Sequence, residues 1–177
     1  MNGKVHVAIG VGTAACLLMK YPTGMDFCGL SVSPAIALLT ATAGSYAPDI
    51  DLGRSHSGMK HKVASKVITK VGGGHRGITH ALLVPTIVLI LMMFVSSYLS
   101  AAPSLAYLLN SLLFGWEWGY LLHIFADLFN GKGVPLFWPL LQTKVHIMDL
   151  PSTGIVPWIF SVVLVGAFGA LIFGGII

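Results

Sequence analysis

Five apolar runs divide this 177-residue chain, and four of them carry histidine or aspartate at one end. The runs are residues 5–19, 28–47, 81–99, 105–127 and 154–177. A helix that crosses a bilayer needs about 20 predominantly apolar residues, and the last three runs meet that requirement most clearly. Composition agrees: 55% of the residues are hydrophobic and only 9% charged, whereas a soluble domain carries about 25% charged residues. We read an all-α integral membrane bundle, a single domain over residues 1–177, with about five membrane-embedded helices. Cys16 and Cys28 lie in apolar surroundings without a C-x-x-C pairing, and read as small buried hydrophobes.

The first two runs are the weaker ones. Residues 28–47 are rich in Ser and Thr and contain Pro34, expected to kink the segment; residues 5–19 are short. The two either cross separately or form a re-entrant hairpin, and both routes return the chain to its starting side. A cleaved signal peptide, with Lys4 as its basic region and Cys16 as a lipidated cysteine, fits less well. Thr13 stands where such a motif has leucine, and His6 interrupts the apolar stretch.

Loop charge sets the orientation. With five crossings, residues 1–4, 48–80 and 128–153 share one side. That side holds Lys4, Arg54, Lys60, Lys62, Lys66, Lys70, Arg76, Lys132 and Lys144, against Lys20 alone on the other. Positive charge accumulates on the cytoplasmic side, so the rich side is read as cytoplasmic. The ionisable residues follow the same division. His6 opens the first run, Asp49 and Asp51 follow the second, His75 and His80 precede the third, and His123 and Asp127 close the fourth. All seven then share one membrane face, with Asp26 opposite.

Three motifs carry this chemistry. In HIFAD, His123 and Asp127 are four residues apart, hence on one helical face; alone, the pair also fits a hydrogen bond that holds a helix end. In APDID, Pro48 disfavours helix at Ala47, which predicts that Asp49 and Asp51 lie in extended chain and point the same way. In GGGHRGITH, glycines permit close backbone approach, Thr79 is expected to cap the third helix, and Arg76 offers a fork suited to phosphate. The stretch Lys60–Lys70 reads as an amphipathic segment on the lipid surface, and Phe137 and Trp138 suit an interfacial element. Glu117 needs a buried partner and is expected in a structural hydrogen bond. Gly166, Ala170 and Gly174 form a close-packing stripe for another helix, which also suits a homo-oligomer.

Together His6, Asp49, Asp51, His75, His80, His123 and Asp127 offer nitrogen and oxygen donors suited to zinc or a similar divalent ion. Seven candidates exceed what one catalytic zinc takes from protein, so two or more ions are expected. Such centres generate a nucleophile from water and neutralise an oxyanion, the chemistry of phosphoester hydrolysis. No Walker, G-x-S-x-G or dinucleotide fingerprint is present. Topology accounts for the basic charge, so no nucleic-acid partner is expected.

The residues His6, PDID at 48–51, GHRGITHALL at 74–83 and GYLLHIFADLFNGKGVPLFWPL at 119–140 give the chain a family likeness. It resembles the YdjM-like inner-membrane metal-dependent hydrolases, described as LexA-regulated in some bacteria. More distantly it is similar to the helical zinc-dependent phospholipase C and P1 nuclease group. The resemblance implies metal ligation by the seven residues named above. The chain also departs from the family: members often read P-D-I-D-H, whereas Leu52 stands here, so that either His56 replaces that histidine or the site holds one metal fewer.

The expected activity is hydrolysis of a lipid or lipid-linked phosphoester entering from the inner leaflet, with Arg76 holding the phosphate and Asp49 or Asp51 acting as base. The rival readings are a transporter that passes metal or protons, and a non-enzymatic anchor that binds lipids. Clustering of the candidate ligands at one face argues against the transporter, and metal content separates the anchor from both other readings.

Overall fold

The computed structural model describes residues 1–74 and 76–175, and His75 therefore lies outside the described residues. Helix α1 (Gly3–Lys20) leads to a two-stranded antiparallel hairpin, β1 (Met25–Phe27) and β2 (Leu30–Val32). Helix α2 (Pro34–Tyr46) follows, then a 3-10 turn at Pro48–Asp51, short α3 (His56–Lys60), α4 (Lys62–Val71) and a second 3-10 turn at Ile78–His80. Helices α5 (Leu83–Tyr98), α6 (Pro103–Asp127) and α7 (Val156–Phe173) complete the chain.

Local chemistry explains where these elements start. The Asn2 side chain accepts from the Lys4 amide at 3.1 Å and caps α1. Pro34 does not kink the second run. It sits in the first turn of α2, where a missing N–H costs nothing, behind the capping side chain of Ser33. The residues before it turn back on themselves. Cys28 and Gly29 both have positive φ, the two-residue turn that matches strand twist, and the Asp26 carboxylate accepts from the Gly29 amide at 2.8 Å. The helical part of the second run is therefore 13 residues, about 20 Å long, against a hydrocarbon core of about 30 Å.

Helices α1, α2 and α6 meet through small residues. A Cβ at Gly115 would overlap the Ala37 carbonyl oxygen, one at Gly119 the Ala41 carbonyl, and one at Gly44 the Trp116 carbonyl. At Gly10 it would overlap the Ser45 hydroxyl. Backbones this close bring main-chain dipoles and hydroxyls into reach of each other. Thr40 Oγ1 donates to the Leu112 carbonyl at 2.6 Å, Ser111 Oγ accepts from the Ser33 amide at 2.8 Å, and Trp118 Nε1 donates to Thr13 Oγ1 at 3.0 Å.

The outer surface is apolar. Ile87, Ile90, Met93 and Phe94 of α5 and Ile159, Val162, Val163 and Phe173 of α7 are exposed, as expected of faces turned to lipid. By length and composition two helices, α1 and α7, suffice to cross a membrane, and α5 is apolar but shorter. Helix α7 packs on α1, with Val165 against Gly12 and Gly169 against Cys16. The stripe of Gly166, Ala170 and Gly174 does not make this contact. Gly166 has open space where a side chain would stand, and all three residues are exposed.

Candidate metal centre

Helices α1 and α5 start, and α2 and α6 end, at the same end of the bundle, and this alternation gathers the ionisable residues. His6, His80 and His123 are fully buried, Asp127 is 1% exposed, and the Asp49 side chain is 15% exposed. Ligand-type atoms of His6, His123 and Asp127 lie within 4.8 Å of one another, as do those of Asp49, His80 and His123.

Four of these atoms outline a cage. His80 Nε2 stands 4.0 Å from Asp49 Oδ1 and 3.6 Å from Asp127 Oδ2. His123 Nε2 stands 3.8 Å from each of the same two oxygens. A tetrahedral zinc with ligands at about 2.1 Å separates them by about 3.4 Å, so the cage has nearly the size of such an ion. The i, i+4 spacing in HIFAD thus brings both side chains to one place, but not into a hydrogen bond with each other.

Hydrogen bonding orients both rings for donation. His123 Nδ1 lies 2.7 Å from the Ser45 carbonyl oxygen. A carbonyl only accepts, so Nδ1 carries the proton and Nε2 of the neutral ring keeps its lone pair, directed into the cage. Thr79 Oγ1 donates to Asp51 Oδ2 at 2.7 Å and, its single proton used, accepts from His80 Nδ1 at 3.0 Å. His80 Nε2 then also presents a lone pair. A ring whose far nitrogen is fixed by a carbonyl or a hydroxyl is the usual second-layer support of a metal ligand. The His6 ring stacks on His123 with centroids 3.7 Å apart. Its Nε2 is 3.3 Å from Asp127 Oδ1, without hydrogen-bond geometry.

The carboxylates divide their work. Asp49 and Asp51 are not in extended chain: Ala47 remains in the right-handed helical region despite Pro48, and residues 48–51 form a 3-10 turn. With about three residues per turn, side chains two apart diverge. Asp49 faces the cage, and Asp51 faces away, accepting the Arg76 amide at 2.8 Å and the Thr79 hydroxyl. Among the described residues Asp51 joins neither grouping, and it positions Arg76, Thr79 and, through Thr79, His80. Arg76 adopts a left-handed backbone (φ 60°) to make this bond, a conformation that non-glycine residues rarely take.

Arg76 is almost fully buried. Its Nη2 pairs with Asp127 Oδ2 at 2.6 Å and its Nη1 donates to the Gly133 carbonyl at 3.1 Å. Its Nε has no hydrogen-bond partner among the described residues. The ammonium group of Met1 contacts Asp127 Oδ1 at 2.7 Å. Thr79 is not a helix cap, since α5 begins at Leu83 with no side-chain cap. His56, the candidate for the histidine expected at position 52, is exposed, its ring lies 4.8 Å from that of Tyr46, and among the described residues it joins neither grouping. Glu117 is buried, and its Oε2 has no hydrogen bond among the described residues. The supporting Ser45, Thr79 and Tyr120, whose hydroxyl donates to the Thr79 carbonyl at 2.5 Å, carry no signal that sequence reading singled out for this role.

Two cavities flank the centre. One, of about 520 Å³, is lined by Asp49 and Arg76 together with Lys4, Arg54 and Lys132. The other, of about 830 Å³, runs between α2, α4 and α6 and is largely apolar. Tyr46 and His56 line both.

A helical membrane bundle with a buried histidine and aspartate centre at one end is the class that fold and site define. Within that class, the family model for the YdjM inner membrane protein matches residues 1–176, and the chain belongs to this family. It is 39% identical over 92 residues to the inner membrane protein YdjM of Escherichia coli (strain K12), covering 52% of this chain and 43% of that protein. The Shigella flexneri protein of the same name matches to the same extent. The chain thus aligns with less than half the length of these two relatives. The Bacillus subtilis (strain 168) protein YvsG is 30% identical over 139 residues, 78% of this chain and 74% of that protein. No solved structure matches, and the more distant likeness to the phospholipase C and P1 nuclease group is not shown.

Proposed function

We propose that this YdjM-family inner membrane protein is a metal-dependent hydrolase of phosphoesters carried by lipids or lipid-linked substrates. The observation that carries the reading is the cage itself: two imidazole nitrogens, each with its far side fixed, facing two carboxylate oxygens at 3.6–4.0 Å. The donor set suits zinc. The stacked His6 beside Asp127 Oδ1 is the natural place for a second ion. A divalent ion here would lower the pKa of a water molecule and neutralise charge on a phosphoryl oxygen.

The protein's own groups supply the rest. Asp49 reaches both the cage and the open cavity, so its second oxygen takes the proton of the attacking water. Arg76, held by Asp51 and Asp127, lines the open cavity and lends its positive charge to the phosphate. In this reading about five helices are embedded in the bacterial inner membrane, with the centre on the cytoplasmic side where the positive loops gather. The exposed stripe of Gly166, Ala170 and Gly174 is the surface we assign to a second copy.

Elemental analysis of protein purified without chelator tests the reading, with turnover of phosphatidic acid measured beside it. At least one divalent ion per chain and chelator-sensitive phosphate release are expected; a metal-free chain would remove the proposal. Reporter fusions within residues 60–70 that read as periplasmic would reverse the orientation.

A further inference from the structure

The two cavities differ in chemistry but share a wall. The one beside Asp49 and Arg76 adds Lys4, Arg54 and Lys132, and no ion pair holds these three among the described residues. The other follows the helix axes. Leu39, Ala43 and Tyr46 line it one turn after another along α2, with Trp116 and Tyr120 opposite on α6. Seven residues of helix measure about 10 Å, so the groove is a channel parallel to the bundle axis, the direction of lipid chains around a spanning bundle. Its volume lies in the range of ligand pockets. Its far end opens at Leu39, which is 76% exposed, and its near end closes on the Tyr46 and His56 rings, beyond which the cationic cavity begins.

We propose that the two cavities form one binding site for a phospholipid whose head carries net negative charge: the phosphate sits among Arg76, Lys4, Arg54 and Lys132, and one acyl chain lies in the groove along α2. The chemistry at the centre rests on the hydrolase reading above; the binding mode does not. Charge complementarity selects the head. A choline-type head would carry its own cation into a cavity that already holds several, whereas a bare phosphate meets four cationic side chains there against the single carboxylate of Asp49. Helix α4 selects the source. Its Val63, Val67 and Val71 form an exposed apolar row beside exposed Lys62, Lys66 and Lys70. Such a helix lies at the lipid interface and concentrates anionic lipids around it, while Ile68 of the same helix lines the groove.

Photolabelling of the full chain in phosphatidylcholine nanodiscs tests this without requiring turnover. The probe is phosphatidic acid with a diazirine in its acyl chain, and the labelled residues are mapped by mass spectrometry. Label is expected along Leu39–Tyr46 and Trp116–Tyr120, displaced by unlabelled phosphatidic acid but not by glycerol 3-phosphate. Ala43→Trp, which fills the groove, should cut this labelling several-fold, and Leu39→Trp at its exposed mouth should do the same should the first variant fold poorly. Arg54→Glu and Lys132→Glu should each lower the preference for phosphatidic acid over a phosphatidylcholine probe by about fivefold or more. Label spread over the outer faces of α5 and α7, unchanged by both groove variants, would overturn the proposal. Displacement by glycerol 3-phosphate as effective as by the lipid would overturn the acyl-chain half of it. Groove labelling without phosphate release would leave the site standing and remove the hydrolase reading, and release with label elsewhere would do the reverse.

Discussion

Helices α6 and α7 are both long and rich in apolar residues, yet they solve opposite problems. Helix α7 has the length and hydropathy of a membrane span and buries only 17% of its most apolar window. Helix α6 is longer, at 25 residues, but its polar residues Asn110, Ser111, Glu117, His123 and Asp127 are buried inside the protein. In water a buried helix is the more apolar one. In lipid the gradient disappears, because the hydrocarbon outside is as apolar as any core, and polar groups go inward to find partners. High hydropathy in such a chain therefore marks the helices that touch lipid, and the helix that carries chemistry is the one where hydropathy is interrupted.

The largest expected difference between the two helices lies in their glycines. Gly119→Leu forces a side chain into the Ala41 carbonyl and the Ser45 backbone. No rotamer avoids main-chain atoms, so α2 and α6 must separate, at a cost of about 3 kcal/mol or more. Thermal unfolding in detergent should show the loss. Under the proposed function bound metal should be lost as well, because Ser45 orients His123 across the same interface. Gly119→Leu protein with unchanged melting and metal content would mean that α2 and α6 do not pack this closely.

Next in size are the carboxylates. Asp127→Asn removes a ligand candidate and leaves Arg76 without its ion pair in a buried place, which typically costs about 3–5 kcal/mol. Asp49→Asn removes the other carboxylate candidate, whose side chain is 15% exposed, and breaks no ion pair with Arg76 among the described residues. Both should lower metal affinity by about 10–100-fold, but only Asp127→Asn should also melt substantially earlier. Equal stability loss in the two would indicate that Arg76 does not depend on Asp127.

Much of this site can be read from the chain because periodicity and run boundaries are local properties. Four runs ending in His or Asp imply convergence once helices alternate in direction, and the i, i+4 spacing of His123 and Asp127 sets a shared face without any tertiary knowledge. The geometry of PDID was not legible. Extended and 3-10 backbone differ only in how Ala47 is held, and that depends on packing at the end of α2. Pro34 is ambiguous for the same reason, since a proline that breaks a helix and one that begins it differ only in whether the preceding chain is helical. The pairing of Arg76 with Asp127, far apart in sequence, is likewise visible only in three dimensions. Gly115 and Gly119 form a legible G-x-x-x-G motif within α6, with the same spacing as Gly166, Ala170 and Gly174 in α7, where Gly166 meets no neighbour among the described residues.

A smaller effect separates packing from hydrogen bonding inside α6. Trp118→Phe keeps most of the ring against Phe114 and Phe168 but leaves Thr13 Oγ1 without its donor. The Thr13 hydroxyl still donates to the Ile9 carbonyl at 2.8 Å, so only one of its interactions is lost. The expected cost is about 1 kcal/mol, seen as a modest fall in unfolding temperature with metal content unchanged. A loss of metal would show that the α1 contact, and not only the α2 contact, holds His123 in place.

The smallest expected effect is at Gly166, and it sharpens the comparison most. The residue is exposed, and a Cβ there meets nothing within 4 Å. Gly166→Leu removes a poor helix former, which in an exposed helix favours folding by somewhat under 1 kcal/mol, and adds an apolar side chain to a face already turned to lipid. An isolated chain should therefore unfold at the same temperature or slightly higher, the reverse of Gly119→Leu at the same four-residue spacing. If a second copy packs on the stripe, the leucine removes the close approach that small residues permit, and dimers should disappear from size-exclusion or cross-linking profiles while the unfolding temperature of the monomer holds. A fall in monomer stability would show instead that α7 presents this face to a helix of its own chain, and that the contrast between the two glycine motifs is wrong.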